Sequence, residues 1–155
     1  MDLVKANPQY GPRCQAFVCD ISQEAWPGDI PVEESSLDIV ICLFVFSALD
    51  PQDMKNCVKN VHKYLKPGGK VLFRDYGRYD LAQLRFKPGK CLADNFYVRG
   101  DGTKCYFFTE DDVKGLFGEP DFVLEQCKVD RRLQVNRGKK LKMYRVWIQC
   151  KFTKK

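Results

Sequence analysis

Two short apolar runs carry the first structural information in this chain. Residues 37–46, LDIVICLFVF, are nearly continuous in hydrophobicity and rich in β-branched side chains. A run of this length is too short to cross a membrane and matches a strand covered on both faces inside a parallel sheet. Val71, Leu72 and Phe73 form a second run of the same kind. Between them, Met54, Val58, Val61 and Leu65 recur at helical spacing, which predicts an amphipathic helix over about 51–64 with Asp50 placed to cap it. Strand, helix and strand make one βαβ unit. The helix ends at LKPGG, residues 65–69, where proline cannot continue it and glycine takes the turn. In such sheets ligands sit beyond the carboxyl ends of the strands, here near Ser47, Ala48 and the run Arg74, Asp75, Tyr76.

The remaining pattern is more broken. Residues 1–13 read as the tail of a helix and a Pro/Gly turn, 16–19 as a short strand ending at Asp20, and 22–36 as loop. After Gly77 the βαβ rhythm stops, and residues 78–108 read as an insertion. It contains a possible helix at 79–86 and two aromatic strands, 95–99 and 104–108, facing each other across a Gly-Asp-Gly turn. Thr109 followed by three acids predicts a capped helix to about Phe117. Strands near 122–129 and 143–152 close the chain as an antiparallel pair. There is no internal repeat, and the 155 residues suit one domain.

Composition narrows the class. With 45% hydrophobic and 30% charged residues the chain has ordinary globular composition. Its eight cysteines include no CxxC pair and stand beside a single histidine, so reduced thiols in an intracellular protein are expected, with no metal site. The net charge of +6 is local: Arg131, Arg132, Arg137, Lys139, Lys140, Lys142 and Arg145 crowd one stretch. Such a cluster is either a solvated face or a nucleic-acid contact. Arg74 and Asp75 could likewise be a simple ion pair, with Tyr76 packing at the sheet edge. The hairpin aromatics Phe96, Tyr97, Tyr106, Phe107 and Phe108 could be core or pocket mouth. His62 lies on the helix away from the strand tips and is expected to face solvent.

Several longer motifs sharpen this. FRDYGRYD (73–80), LRFKPG (84–89), NFYVRGDGT (95–103), YFFT (106–109) and VDRRLQVNRGK (129–139), together with LKPGG, resemble the tRNA 3-methylcytidine methyltransferases. The resemblance implies a Rossmann-like class I fold with strand order 3-2-1-4-5-7-6, dependence on S-adenosylmethionine, and a cytosine in the anticodon loop of tRNA as target. It implies Asp20 and Ile21 at the cofactor's adenine and Ser47 and Ala48 at its methionine end. Asp75 would stabilise positive charge on the base, with Arg74 reaching its carbonyl or a phosphate and Tyr76 stacking. Arg99, Lys104, Arg131, Arg132 and Arg137 would meet tRNA phosphates. An auxiliary protein, either an aminoacyl-tRNA synthetase or an anticodon-binding-domain protein, would help choose the tRNA, and the setting would be cytoplasmic.

The family's glycine-rich cofactor loop has no counterpart, since GxGxG occurs nowhere in the chain. The resemblance is therefore to a fragment or short isoform without the first two strands, which would bare an apolar sheet edge. Two rival functions stay open: a catalytically silent tRNA- or partner-binding piece, and a methyltransferase acting on a protein or small molecule.

Overall fold

The computed structural model describes residues 14–138 and 140–155; the helix tail and turn expected over 1–13 lie outside them. The elements are β1 (Leu37–Leu43), a 3-10 turn (Phe46–Ala48), α1 (Met54–Tyr64), β2 (Leu65–Tyr76), α2 (Leu81–Leu84), β3 (Cys91–Ala93), β4 (Phe96–Val98), β5 (Lys104–Tyr106), α3 (Glu110–Leu116), β6 (Phe122–Asn136) and β7 (Leu141–Lys154). The main sheet has the order β1-β2-β7-β6, and β3-β4-β5 form a second, smaller sheet. β1 runs parallel to β2, while β7 runs antiparallel to both β2 and β6.

The βαβ unit forms in the predicted order, but β1 is the edge strand of the sheet with one face exposed rather than a strand covered on both faces, and the LKPGG run is placed differently. LKPGG is folded into the start of β2 rather than preceding it. Leu65 pairs with Leu37 and Lys70 with Ile39, so residues 66–69 bulge out of the ladder. Gly68 supplies the positive φ of 76° that the bulge needs. The helix begins three residues later than expected, at Met54, and its N-cap residue Asp53 makes no side-chain cap bond. Asp50 is instead paired with Lys104 of β5.

The strand expected at 16–19 is corrected: these residues take no regular structure. A four-residue run can hold strand geometry only against a hydrogen-bonding neighbour, and β1 is the terminal strand of the sheet. The helix expected at 79–86 shrinks to one turn, closed at its start by the Asp80 side chain accepting from the Ala82 N–H. α3 carries the full capping box of Thr109 and Asp112. The hairpin forms with Phe96, Tyr97 and Val98 opposite Tyr106, Cys105 and Lys104. The closing strands are longer than the pattern suggested. β7 pairs β2 only over residues 147–153, so 131–136 and 141–146 run past β2 as a two-stranded ribbon.

The pleat sorts β2 into two faces. Val71, Phe73 and Asp75 point into the core, where Phe73 meets Phe46, Phe108 and Phe117 edge-on. Each such phenyl ring removed from water is worth about 1.5–3 kcal/mol. Ile39, Ile41 and Leu43 lie on the opposite face of the sheet, each more than half exposed, so the apolar surface expected at this edge is present.

One buried charge ties the two ends of the unit. The Lys154 ammonium at the end of β7 donates to the carbonyls of His62 (2.7 Å) and Leu65 (2.8 Å), capping the end of α1. His62 itself is half-buried and packs edge-on against Phe122 rather than facing solvent freely. Lys154→Met keeps the aliphatic stem but leaves those carbonyls without their donor. It should cost about 1–3 kcal/mol in urea unfolding; an unchanged midpoint would remove the cap from the account.

Candidate active site at the strand tips

β1 and β2 end side by side, joined where the Phe44 N–H donates to the Arg74 carbonyl at 2.8 Å. The insertion closes onto the same place. The Phe108 N–H donates to the Tyr76 carbonyl (2.9 Å) and the Arg78 N–H to the Phe108 carbonyl (2.8 Å). Gly77 lets β7 come close on the other side: its N–H donates to the Val146 carbonyl at 2.8 Å, and a Cβ there would sit 2.9 Å from the Val146 side chain. The chain thus brings residues 44–48, 74–78 and 106–109 together at one end of the sheet.

Within that end the three residues of RDY do not act together. Asp75 has no exposed surface. Its carboxylate accepts the Ser47 N–H at 2.9 Å and the Tyr76 N–H at 2.8 Å, holding the 46–48 turn against β2. Burial raises its pKa above the ordinary 3.8, and the hydrogen bonds from Ser47 and Tyr76 partly offset the rise. Asp75 offers no surface for direct contact with a base, so the charge-stabilising role that the resemblance implies would act across the turn it holds. Ser47, placed at the methionine end by resemblance, is itself buried and spent on Asp75, whereas Ala48 is exposed.

Arg74 points to the other face. It pairs with Asp130 at 2.7 Å, donates to Gln149, and lies 4.6 Å over the Trp147 ring. Neither the Arg74–Asp75 ion pair nor a free Arg74 is found; the guanidinium fastens β2 to β6 and β7. Tyr76 lies at the tip between Phe44 (4.9 Å) and Phe107 (5.8 Å), with the Arg99 guanidinium 5.3 Å from its ring. Arg99 also donates to Cys105 Sγ, so it belongs to the tip rather than to an outer surface. Phe96, Phe107 and Phe108 are core.

Asp20 is exposed and turns back on its own loop, accepting from the Ser22 N–H, the Ser22 hydroxyl and Gln23. Those bonds hold its pKa below the usual carboxylate range, so it is ionised at neutral pH. Asn56 and Asn60 of α1 clamp the loop through the carbonyls of Ser22, Gln23 and Glu24, and Ile21 packs on the core. Cys42 and Cys57 have thiols pushed up to about 12, chiefly by burial, and Cys19 lies close enough to contribute to the Cys57 shift. The Asp20 turn therefore sits against α1.

The basic residues divide. Arg131 and Arg137 are exposed on the ribbon, Arg132 is held by Asp130 (2.9 Å), and Lys104 by Asp50. Reasoning from sequence passed over Phe44, Asp80 and Trp147. Phe44 sits at a φ of 54°, a conformation no residue-type pattern flags, and Asp80 meets its partner Arg145 across 65 residues.

The order β1-β2-β7-β6 is the 4-5-7-6 portion of the sheet order expected above, with the βαβ crossover and the tip cluster in the corresponding places. This arrangement defines a Rossmann-like methyltransferase fold. A methyltransferase-domain family profile matches residues 1–126, and the chain belongs to that family. It is 57% identical over 155 residues to the tRNA N(3)-cytidine methyltransferase METTL2 of Danio rerio, covering 99% of this chain and 43% of that protein. To the tRNA(Thr) (cytosine(32)-N(3))-methyltransferase of Saccharomyces cerevisiae it is 48% identical, over 98% of this chain and 24% of that protein. The chain thus spans less than half the length of these relatives.

Among solved structures, a SAM-dependent methyltransferase from Methanosarcina mazei matches with a TM-score of 0.62 at 17% identity, covering 87% of this chain and 64% of that one. A Burkholderia thailandensis N1-methyltransferase bound to S-adenosylhomocysteine also gives 0.62, at 16% identity, over 99% of this chain and 55% of that one. At such identities the likeness is one of fold.

The Asp75 brace has a pH signature. Because its native pKa is raised, the folded state keeps a proton that the unfolded chain gives up at 3.8, so its contribution to stability is complete below that value. It is lost as pH rises through the raised native value. Asp75→Asn should flatten that part of the stability profile, and Asp75→Ala should cost about 1–3 kcal/mol by leaving the Ser47 and Tyr76 N–H groups without an acceptor. Denaturation of the three proteins from pH 4 upward, read as a set, checks both; parallel profiles would contradict the brace.

Proposed function

We propose that this chain forms the substrate side of an S-adenosylmethionine-dependent methyltransferase that makes 3-methylcytidine in the anticodon loop of tRNA. The observation that carries the reading is the 57% identity, over essentially the whole chain, to a protein named for that activity. The aromatic and cationic strand tip suits an RNA base and its backbone.

S-adenosylmethionine, when bound, supplies an electrophilic methyl group. The residues that fit it are the ionised Asp20, toward the adenine amine, the Ile21 backbone beside the ring, and Ala48 of the turn after β1. Ser47 does not fit, because it is buried against Asp75. Cytosine N3 carries an unprotonated lone pair at neutral pH, so the protein's work is to place and desolvate it. Tyr76, packed between Phe44 and Phe107, completes an aromatic tip that suits a base, and an aromatic face also favours the cation that methylation creates. Asp75 contributes by fixing the turn that borders the reacting groups, and Arg74 by locking β2 to its neighbours. An aminoacyl-tRNA synthetase or anticodon-binding-domain protein is the auxiliary partner we propose in a cytoplasmic setting, on the strength of the family resemblance.

The direct test replaces the matching segment of the Danio rerio relative with these residues and assays tRNA nucleosides by mass spectrometry. The chimera should form 3-methylcytidine. An inactive chimera that still binds tRNA would favour a silent binding role, and methylation of protein but not tRNA would overturn the substrate.

Arg131 and Arg137, the exposed ribbon cations, are proposed to meet phosphates. Reversing both to glutamate should weaken tRNA binding and lower the slope of log affinity against log salt by about 0.7–0.9 for each phosphate no longer neutralised. Arg132→Glu should do less, since Asp130 already holds that guanidinium. An unchanged slope would return the ribbon to a solvated face.

A further inference from the structure

Four side chains that no motif singled out as a group converge on the tip of β2. Trp147 stands opposite Tyr76 in the β2–β7 ladder. Phe44 packs against both, its ring 4.9 Å from Tyr76 and 6.1 Å from Trp147. Arg145 lies two residues before Trp147 on the same face of β7. Its guanidinium carbon is 5.6 Å from the Tyr76 ring centre and 5.4 Å from that of Trp147.

Three features of this cluster are more than packing. Phe44 is a bulky residue at a φ of 54°, a conformation that costs free energy and is kept only where the surroundings impose it. It nonetheless leaves 39% of its surface exposed. Trp147 is 8% exposed, and among the described residues its buried indole N–H has no acceptor. Buried donors are normally paired, and this one is not.

Arg145 is held from behind. Its Nε donates to both carboxylate oxygens of Asp80, at 3.1 and 2.9 Å. Asp80 is fully buried and is itself fixed by the N–H groups of Val146 (2.7 Å) and Ala82 (2.8 Å). Among the described residues the outer amino groups of Arg145 have no acceptor. A guanidinium locked at Nε with its outer edge free is a preset receptor for a phosphate.

We propose that Phe44, Tyr76, Trp147 and Arg145 form the seat of the nucleotide presented for methylation. The base lies against the exposed Phe44 ring, and its phosphate on the outer edge of Arg145. Asp80 is a positioning residue that sets the guanidinium. This rests on the RNA-methylating reading and adds to it which residues hold the target nucleotide. An aromatic face and a fixed cation side by side match the two halves of a nucleotide, a π surface and an anion.

The test uses the 155-residue protein, a short RNA stem-loop with a cytosine in its loop, and the same stem-loop with that position abasic. Binding is read by fluorescence anisotropy over a salt series. Wild type should prefer the intact loop to the abasic one by about tenfold, the scale of one base stacked on an aromatic ring. Phe44→Leu should bind both alike. Arg145→Ala should weaken binding of both RNAs and reduce the salt slope by about the share of one phosphate. Asp80→Asn should weaken binding less than Arg145→Ala at an unchanged slope, since the charge remains. If Arg145→Ala melts at lower temperature, the Phe44→Leu comparison decides alone, because Phe44 is outside the core. Tight RNA binding with no abasic discrimination in wild type, or discrimination retained in Phe44→Leu, overturns the seat and leaves the RNA reading standing. No binding of either RNA overturns both.

Discussion

The period-two pleat of β2 governs everything at this site. β2 is the strand to which the parallel β1 and the antiparallel β7 both attach, so its two faces become the two environments of the protein. Val71, Phe73 and Asp75 are sealed under α1, α3 and the turn after β1, while Arg74 and Tyr76 emerge on the other side. Three consecutive polar residues that read as one catalytic group therefore divide. The acid becomes internal structure, the arginine a strap across the sheet, and the tyrosine alone stays at the tip.

The division follows from electrostatic cost. A carboxylate taken fully out of water survives only with hydrogen bonds from fixed donors. Asp75 finds them in the backbone of Ser47 and Tyr76, so one side chain secures both the turn after β1 and the end of β2. Asp80 does the same five residues on, with the Val146 and Ala82 amides and the Arg145 guanidinium. Two buried acids thus position the aromatic tip from below.

The sequence made the frame legible and the tip less so. The runs at 37–46 and 71–73 and the helical spacing between them have single geometric solutions, and the Gly-Asp-Gly turn and Thr109 cap act locally. The run at 16–19 misled because a strand exists only through its neighbour, which local pattern cannot supply. That Asp75 and Arg74 face opposite sides of the sheet was not read from the sequence, because adjacency in sequence is opposition in a strand. Phe44 and Trp147 escaped notice since nothing in residue type announces a left-handed φ or an unpartnered indole. Asp80 and Arg145 were visible singly, but their pairing is a property of the fold, joining the insertion to the last strand.

The claim at the centre is that RNA meets the outer side of this pleat and leaves the inner side untouched. An amide and indole NMR titration of the protein with a cytosine-containing stem-loop RNA tests it most directly. The Trp147 indole N–H and the amides of Phe44 and Gly77 should move while the Ser47 amide, held by Asp75, stays in place. Movement of Ser47 with the Trp147 indole unmoved would contradict the account.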